Sequence, residues 1–350
     1  AVSRDGGLTW TRALIPNLTI ASEGRFLRAT DPVAGAGPQG DLYLQNLVSL
    51  QGAFNTAGVV VSRSTDGGVT WSLPASVVES PNPRLTQDKN WLAVNDFPGA
   101  TVSGRLVSTW SNFASNAAGA TTSIDLVSSF SDDRGTTWSA PTAITPPGGL
   151  HQGTQPVFLP DGSLYVVYTE FSSGERVTLF NIQGRHSADG GRTYSPTASR
   201  IVDLVNGWDD PTIRDGVFLP AATASRQTGE LFVAYVAVVG GTPRVHVTKS
   251  TDRGGTWSRA EVVRTLAAQL GPTRVQTGCR KCDLYQDVEN PEAITLVEEW
   301  ESQADLDLRL RSEDYRAVLA AIELSREQPV IHFDTVIRRA GLEMIVAARA

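Results

Sequence analysis

Ten side chains that could carry out chemistry on a sugar lie in four short segments and at one strand end of this 350-residue chain. Paired carboxylates can run glycoside hydrolysis, an arginine can hold an anion in a bidentate fork, and an indole can stack on a pyranose. The alternative is that each residue only forms a turn or caps a strand, as Asp-Pro steps commonly do. The members are Asp31 in ATDPVA, Lys89, Asn90 and Trp91 in QDKNWL, His151 and Gln152 in HQGTQP, Glu170 after LYVVYT, and Asp209, Asp210 and Arg214 in GWDDPTIRDG.

Three acids of this set are the candidate catalytic residues, namely Asp209, Asp210 and Glu170. Because Asp209 and Asp210 are adjacent, they point to opposite sides of an extended segment, and at most one of them faces a common site. Arg214 is the candidate anion clamp, since guanidinium forks match carboxylates, although it could instead pair with an aspartate of its own loop. The remaining members are predicted to bind substrate: Asp31, Lys89, Asn90, Trp91, His151 and Gln152.

A recurring eight-residue box, Ser-x-Asp-x-Gly-x-Thr followed by Trp or Tyr, predicts the elements that position this set. Its aspartate accepts hydrogen bonds from the amides ahead of it, and its glycine takes positive φ, so each box is a turn closed by an aromatic plug. Recurrence about every 60 residues indicates one supersecondary unit repeated along the chain. The box aspartates are therefore interpreted as structural: Asp5, Asp66, Asp133, Asp189 and Asp252, in SRDGGLTW, STDGGVTW, SDDRGTTW, SADGGRTY and STDRGGTW.

A second marker, a glycine turn before an apolar strand, precedes each of the last four boxes as PQGDLY, VSGRLV, PDGSLY and QTGELF. Each period then contains four antiparallel strands, which is the blade of a β-propeller. We predict four full blades and an incomplete one around Asp5, with box aspartates in surface turns and box aromatics largely buried. The segments that lead into the inner strands converge on one face of such a fold, where loops carry function. Nine of the ten side chains lie in those segments, and Glu170 follows the strand LYVVYT.

These repeats are Asp-boxes, also called BNR repeats, and residues 1–258 resemble the sialidase-type β-propeller superfamily. The resemblance implies a mainly β fold but leaves the activity open, because the same box occurs in sialidases, other glycosidases, sorting receptors and non-catalytic propellers. Sialidases also carry an arginine ahead of the first box, two further arginines, a tyrosine nucleophile with a glutamate partner, and an aspartate acid/base. No position here matches the arginine or tyrosine motifs, so no sialidase catalytic residue is carried over.

Composition changes after residue 260, where only Gly271, Gly278 and Gly341 remain of the 32 glycines, and only Trp300 of the eight tryptophans. The alternation of patterns there is typical of an α+β domain. We predict helices over 261–270, 302–311 and 313–324, strands over 279–286 and 293–300, and closing strands over 329–337 and 342–348.

The segments GCRKCDLYQD, ITLVEEWES and LRSEDYRAVLAAIELS resemble the antibiotic-biosynthesis-monooxygenase family, which implies a ferredoxin-like, dimer-forming domain over residues 261–350. Its members oxidise quinols or polyketides without a cofactor, or degrade haem, and some have no known activity. Arg309 stands where the family usually has a histidine. The family's first strand would fall at residues 245–249, which we expect to stay in the propeller. The tail is then an incomplete unit and a poor enzyme, with Tyr285 and Trp300 on strands.

Charge and composition set further bounds. A net charge of −7 argues against nucleic acid as a partner, and no apolar run approaches the ~20 residues of a membrane span. No signal peptide is visible and the chain opens inside a box, so its start looks truncated or processed; secretion is favoured for the propeller, with a cytoplasmic location left open.

Cys279 and Cys282 could be a redox pair or half a zinc site, but they are better explained as family-typical strand residues.

Three functions stay open at this stage. The first is a sialidase-like enzyme acting on glycans, an exo-glycosidase with an incomplete catalytic set. The second is a non-catalytic propeller that binds carbohydrate or protein and has a dimerising tail. The third, weaker, is a cofactor-independent monooxygenase carried by the tail. We expect no cofactor and no metal, a glycan or other small acidic ligand as partner, a dimer through the C-terminal domain, and packing of the tail over the open edge of the first blade.

Overall fold

In a computed structural model of the chain, the described residues are 1–50, 58–171, 179–206, 219–239, 242–257, 260–288, 293–323, 329–336, 344, 348 and 349. The chain divides into two compact units. The first contains Ala1–Arg264 and Gln286–Ile294, and the second contains Thr265–Tyr285 and Thr295–Ala350. No helix in the described part of the chain is long and apolar enough to cross a membrane.

The first unit is built from four antiparallel sheets whose strands follow one another in the chain. The first sheet contains β1 (Phe26–Ala36), β2 (Leu42–Leu50), β3 (Gly58–Ser64) and β4 (Ala75–Glu79). The second contains β5 (Leu85–Val94), β6 (Leu106–Ser115), β7 (Thr121–Ser131) and β8 (Thr142–Ala143). The third contains β9 (His151–Phe158), β10 (Leu164–Phe171), β11 (Leu179–Ser187) and β12 (Ser199–Asn206). The fourth contains β13 (Ala221–Ala224), β14 (Leu231–Val239) and β15 (Thr242–Ser250).

The sheets pack face to face in chain order, as propeller blades do. Strand β5 contacts both β1 and β9, and β9 also contacts β13, so the first strand of each sheet lies against the first strand of the next. Each pair of neighbouring sheets shares one hydrophobic core. The predicted mainly β architecture of four-stranded antiparallel units is thereby confirmed for three sheets.

The prediction of four full blades is wrong for the fourth sheet, which has three strands among the described residues. In the first three sheets, the last strand begins a few residues after the aromatic residue that closes the box. After Trp257, the chain instead enters helix α1 (Ala260–Arg274). Its sequence, AEVVRTLAAQLGPTR, is rich in strong helix formers, and this local preference replaces the fourth strand.

The five boxes share one hydrogen-bond network, which explains why their aspartates are structural. In the first box, Thr9 donates to Asp5 from its amide at 2.9 Å and from its hydroxyl at 2.5 Å, and the Ser3 hydroxyl donates at 2.8 Å. These hydrogen bonds, the Thr9 hydroxyl first, lower the pKa of Asp5 to about 2. The same partners recur around Asp66, Asp133, Asp189 and Asp252.

Three of the box aromatics, Trp138, Tyr194 and Trp257, pack at the junctions between neighbouring sheets. The Tyr194 hydroxyl donates to Ser128 of the second sheet at 2.8 Å, and the Trp257 ring lies 5.8 Å from that of Tyr165 in the third sheet. Four of the five aromatics are half-buried, whereas Trp10 is 65% exposed. The expectation of burial is wrong for Trp10, because its box closes no described sheet; its indole donates to the Gly7 carbonyl of its own turn at 3.0 Å.

Buried charges also connect neighbouring sheets. Asp41, in the glycine turn of the first sheet, is 2% exposed and accepts hydrogen bonds from Arg63 at 3.3 Å and from Arg134, in the box of the second sheet, at 2.5 Å. Although burial raises the pKa of Asp41, the two arginines hold it below its usual range. The third and fourth sheets repeat the contact through Asp161 and Arg253 at 3.1 Å.

The second unit contains a two-stranded sheet of β16 (Cys279–Gln286) and β17 (Ile294–Trp300), followed by α2 (Gln303–Arg311) and α3 (Tyr315–Glu323). Tyr285 and Trp300 lie on these strands, as predicted. Helix α1 continues past the predicted stop at Gly271-Pro272, and its last residue, Arg274, donates to the Cys282 carbonyl at 2.9 Å.

The predicted closing strands of the tail are wrong where the chain is described. Residues 329–336 form no strand, and Met344 and Ala348 are helical. A strand needs a partner edge to satisfy its backbone, and β-propensity alone does not supply one. The segment 245–249 stays in β15, paired with β14, as expected.

Candidate functional site

The first strands of the first three sheets carry the same β-bulge at the same point. In β1 the bulge lies between Thr30 and Val33, in β5 between Asp88 and Trp91, and in β9 between Gln152 and Gln155. In each case, two residues face a single residue of the neighbouring strand. The first of the two has a positive φ in every bulge: 48° at Asp31, 49° at Lys89 and 76° at Gly153. Left-handed backbone is unfavourable for residues other than glycine, and bulges of this kind are frequent beside functional sites.

Glycine is required in the third bulge for two reasons. The φ of 76° is strained for any other residue, and a Cβ atom at Gly153 would lie 2.6 Å from the Cδ2 atom of Leu219. Leu219 immediately precedes the fourth sheet. The bulge of β9 therefore also lies against the segment that leads into β13.

Buried amide side chains connect the bulges across the sheet junctions. Asn90, 3% exposed, donates to the Asp31 carbonyl at 3.3 Å and to the Gln45 side chain at 3.0 Å. Gln45 in turn donates to the Ser108 hydroxyl. Gln152 donates to the Asp88 carboxylate at 3.1 Å. The amides of Asn90 and Gln152 are thus engaged in holding the strands together, which gives these two candidates a positioning role.

Three candidate side chains remain available at the bulges. Asp31 is exposed, Lys89 is half-buried, and Trp91 is 39% exposed. The Lys89 ammonium makes no ion pair with another described residue. A cation that makes no ion pair within the described residues, a carboxylate and an indole on rigid strands are groups that could hold a sugar bearing a negative charge.

A second polar group surrounds Glu170 on β10. The Asn181 amide donates to its carboxylate at 3.2 Å, the Gln183 amide donates to the same oxygen, and Nε2 of His151 lies 3.7 Å from the other oxygen. Burial lowers the pKa of His151, so its imidazole is neutral at pH 7. The structure thus brings the candidates His151 and Glu170 together in one sheet, with a neutral imidazole beside the carboxylate.

Sequence reasoning missed the residues that hold Glu170. Gln183 lies directly opposite Tyr168, and Asn181 directly opposite Glu170, in the pairing of β10 with β11. The Tyr168 hydroxyl donates to the Gln183 side chain at 3.1 Å, and burial raises the pKa of Tyr168. Only the strand register reveals these neighbours. The candidates Asp209, Asp210 and Arg214 lie outside the described residues.

The second unit has its own buried polar centre, at Arg309. The Arg309 side chain is fully buried and holds Glu298 by a fork, with Nη2 at 2.9 Å and Nε at 3.3 Å from the two carboxylate oxygens. Trp300 donates to the same carboxylate at 3.2 Å, and the Tyr315 ring lies 5.2 Å from the guanidinium. Where the family usually has a titratable histidine, this chain has a closed ion pair.

The two cysteines show no sign of an activated thiol. Cys279 and Cys282 are both unpaired, and burial raises the pKa of each. Because they are three residues apart on β16, their side chains point to opposite faces of the strand. The described residues contain no group of three or more His, Cys, Asp or Glu side chains that could hold a metal ion.

The chain is similar to known proteins in both of its parts. The family model described as antibiotic biosynthesis monooxygenase matches residues 245–321, so the match begins within β15. A sialidase of Micromonospora viridifaciens is 28% identical over 213 residues, which cover 58% of this chain and 29% of the sialidase.

Among solved structures, the Hadza microbial sialidase Hz136 has a TM-score of 0.51 at 17% identity, covering 68% of this chain and 47% of that chain. The NanB sialidase of Streptococcus pneumoniae has a TM-score of 0.47 at 12% identity, covering 67% of this chain and 51% of that chain. This chain therefore spans about half or less of the length of the sialidases it matches. It combines a sialidase-like β-propeller-type domain with a C-terminal segment that matches the antibiotic biosynthesis monooxygenase family.

Proposed function

We propose that the first unit binds an acidic glycan at the bulges of its inner strands. The observation that carries the proposal is the repeated bulge, which presents Asp31 and Lys89 in left-handed backbone with Trp91 beside them. Buried amides hold these strands across two sheet junctions, so the site is organised before a ligand arrives, and this lowers the entropic cost of binding. The sialidase relatives support a glycan as the ligand class.

Lys89 is the proposed anion-binding group and Trp91 the stacking platform. The half-buried Lys89 ammonium, which has no ion-pair partner among the described residues, is available to pair with an anion. Arg214 is proposed to add a second cation and Asp31 to accept hydrogen bonds from sugar hydroxyls. The ligand class is then a saccharide that carries a carboxylate, such as a sialoside or a uronic-acid oligosaccharide.

We further propose that a hydrolytic activity, if this unit has one, uses Glu170 together with His151. The carboxylate could act as a general base, and the imidazole at 3.7 Å could accept or return the proton. Asp209 and Asp210 stay candidates for the partner acid. The alternative is a binding propeller without catalysis.

Calorimetric titration with sialyl and glucuronyl oligosaccharides tests the binding proposal. We expect Lys89→Ala and Trp91→Ala each to weaken binding at least about tenfold, which corresponds to ~1.4 kcal/mol. Lys249→Ala is the matched control, because it removes the same charge from β15, which is not an inner strand. Equal glycan affinities of Lys89→Ala and Lys249→Ala would contradict the proposed site.

Turnover of a fluorogenic sialoside separates the enzyme from the binding module. Release of the fluorophore that is lost in Glu170→Gln, with glycan affinity retained, would support hydrolysis. Binding without turnover would assign the non-catalytic function.

The tail is proposed to be a poor monooxygenase. The match over residues 245–321 favours the family, but the fully buried Arg309, paired with Glu298, occupies the place of the family's histidine. Oxygen-dependent oxidation of a quinol by the full chain, abolished in Arg309→Met, would reverse this assignment.

A further inference from the structure

Strand β2 carries a fully buried amide side chain, Gln45, beside the bulge of β1. Gln45 pairs with Val33, the first residue after that bulge. At the equivalent register position, the second sheet has Thr109 and the third sheet has Val167, and both are also fully buried. The repeat therefore accepts a smaller or an apolar side chain at this position. Because burying an amide is costly unless its groups are hydrogen-bonded, we expect Gln45 to serve a need that is specific to the junction of the first two sheets.

The Gln45 side chain reaches across this junction to the bulge of β5. Its Nε2 donates to the Ser108 hydroxyl, and its Oε1 accepts from the Asn90 amide at 3.0 Å. Because Ser108 takes the donor end of Gln45, the carbonyl end faces Asn90, which turns its own Nδ2 towards it. The same Nδ2 donates to the Asp31 carbonyl in the bulge of β1 at 3.3 Å. Gln45 thus fixes the orientation of Asn90 and, through it, connects the two bulges.

The junction of the second and third sheets has a related contact with a smaller residue. There the Thr109 hydroxyl donates at 2.9 Å to the hydroxyl of Thr154, which is the second residue of the β9 bulge, as Asn90 is of the β5 bulge. The first residue of the β9 bulge is Gly153, for which left-handed backbone has little steric cost. In the β5 bulge, the first residue is Lys89, for which this backbone is strained. The amide with two partners therefore lies at the bulge that contains the strained residue.

We infer that Gln45 is a positioning residue that holds Lys89 in its left-handed conformation and so sets where the Lys89 ammonium lies. This role rests on the proposed function of Lys89 as the anion-binding group. A lysine with a φ of 49° persists only where its surroundings hold it. Asn90 follows Lys89 directly, is buried, and is held by Gln45 and by the Asp31 carbonyl. Gln45 is itself fully buried, so it acts on a ligand only through Asn90 and Lys89.

A measurement on the free protein tests this role without a ligand. The chain has three lysines, Lys89, Lys249 and Lys281, so reductive methylation with isotope-labelled methyl groups gives one lysine NMR signal for each. The signals are assigned from variants in which a single lysine is replaced by arginine. Gln45→Met keeps the length of the side chain but removes both amide groups. We expect it to shift the Lys89 signal and to leave the other two unchanged, because the chemical shift of a methylated ammonium depends on its surroundings.

Asn95→Leu is the matched control. Asn95 is fully buried and donates to the Thr101 and Val102 carbonyls at 2.9 Å and 3.1 Å, just beyond the last residue of β5 and away from its bulge. Both substitutions should lower the melting temperature, because each removes the hydrogen bonds of a buried amide. Only Gln45→Met should shift the Lys89 signal. An unmoved Lys89 signal in Gln45→Met, or an equal shift in Asn95→Leu, would overturn the inference whether or not the protein binds a glycan.

Calorimetry with a sialyl oligosaccharide and its uncharged methyl ester connects this role to binding. We expect Gln45→Met to weaken binding of the acid at least about tenfold and to leave binding of the ester unchanged, with no further loss when Lys89→Ala is added. Asn95→Leu should keep the wild-type affinity for both. A wild-type chain that binds neither compound would refute the proposed function, and the Lys89 signal would still decide the role of Gln45. Wild-type binding that depends on Lys89 but is unchanged in Gln45→Met would refute the positioning role alone.

Discussion

The two units bury charge in different ways. In the first unit, the buried Asp41 connects two sheets through Arg134, and an exposed pair, Asp161 with Arg253, connects two others. In the second unit, a single pair, Glu298 with Arg309, lies at the centre of a small sheet and its helices. A repeated fold distributes its polar contacts over equivalent junctions, so the loss of one leaves the others in place. A small non-repeated domain depends on one contact.

The largest effect is expected from breaking the central pair of the second unit. Arg309→Ala leaves the Glu298 carboxylate, whose side chain is only 11% exposed, without its guanidinium, which should lower the free energy of unfolding of that unit by about 3–5 kcal/mol. Hydrogen exchange of the β16 and β17 amides measures this effect. Arg316→Ala is the control, because Arg316 is exposed and its pair with Glu313 should contribute less than about 0.5 kcal/mol. Equal effects of the two substitutions would remove the distinction between the units.

A smaller effect is expected at a junction of the first unit. Asp41→Ala leaves Arg63 and Arg134 without their acceptor, but both arginines reach water, so the expected loss is about 1–3 kcal/mol by chemical denaturation. Asp161→Ala should cost at most about 1 kcal/mol, since Asp161 and Arg253 are both exposed. A larger loss in Asp161→Ala than in Asp41→Ala would contradict the role assigned to burial.

A glycine substitution sharpens the comparison within the first unit. Gly153→Ala combines left-handed backbone with a contact to Leu219, and we expect a loss of about 1–2 kcal/mol. Gly40 has a φ of 83° and open space around an added Cβ. Gly40→Ala therefore measures only the loss of stability that comes from the left-handed backbone. Thermal unfolding compares the two, and glycan affinity should fall only in Gly153→Ala. Unchanged glycan affinity in Gly153→Ala would show that the bulge of β9 is not part of the binding site.

The smallest effect concerns pH. Burial holds the pKa of His151 below its value in the unfolded chain, so the unfolded state binds more protons once the pH falls below about 6.5. The contribution of His151 to the free energy of unfolding is therefore fully present above that pH. It is lost as the pH falls towards the folded-state pKa. Denaturation midpoints measured between about pH 7.5 and pH 5 should decline less steeply in His151→Gln. Identical slopes would show that another group, such as His186, dominates.

Local chemistry explains why the repeat could be predicted from the sequence. The contacts of each box join residues two to four positions apart, as from Thr9 and Ser3 to Asp5, so any copy of the sequence forms the same turn. The period of the boxes then predicted the number and order of the sheets. Helices α2 and α3 and the positions of Tyr285 and Trp300 followed from equally local patterns.

Contacts between distant residues could not be predicted in this way. The bulges of β1, β5 and β9 follow from strand register, and the hydrogen bond between Asn90 and Gln45 joins residues of different sheets. The candidate segments were identified from the sequence, but the sequence could not show that Asn90 and Gln152 hold the strands while Lys89 and Trp91 remain available.

The sequence alone thus determined the boxes, the repeat and the change of character after residue 260, because these depend on near neighbours in the chain. The tertiary structure decided the exposure of Trp10, the absence of a strand over residues 329–336, and the approach of His151 to Glu170. Each of these depends on whether a distant segment supplies a partner for a strand edge, an apolar ring or a charge.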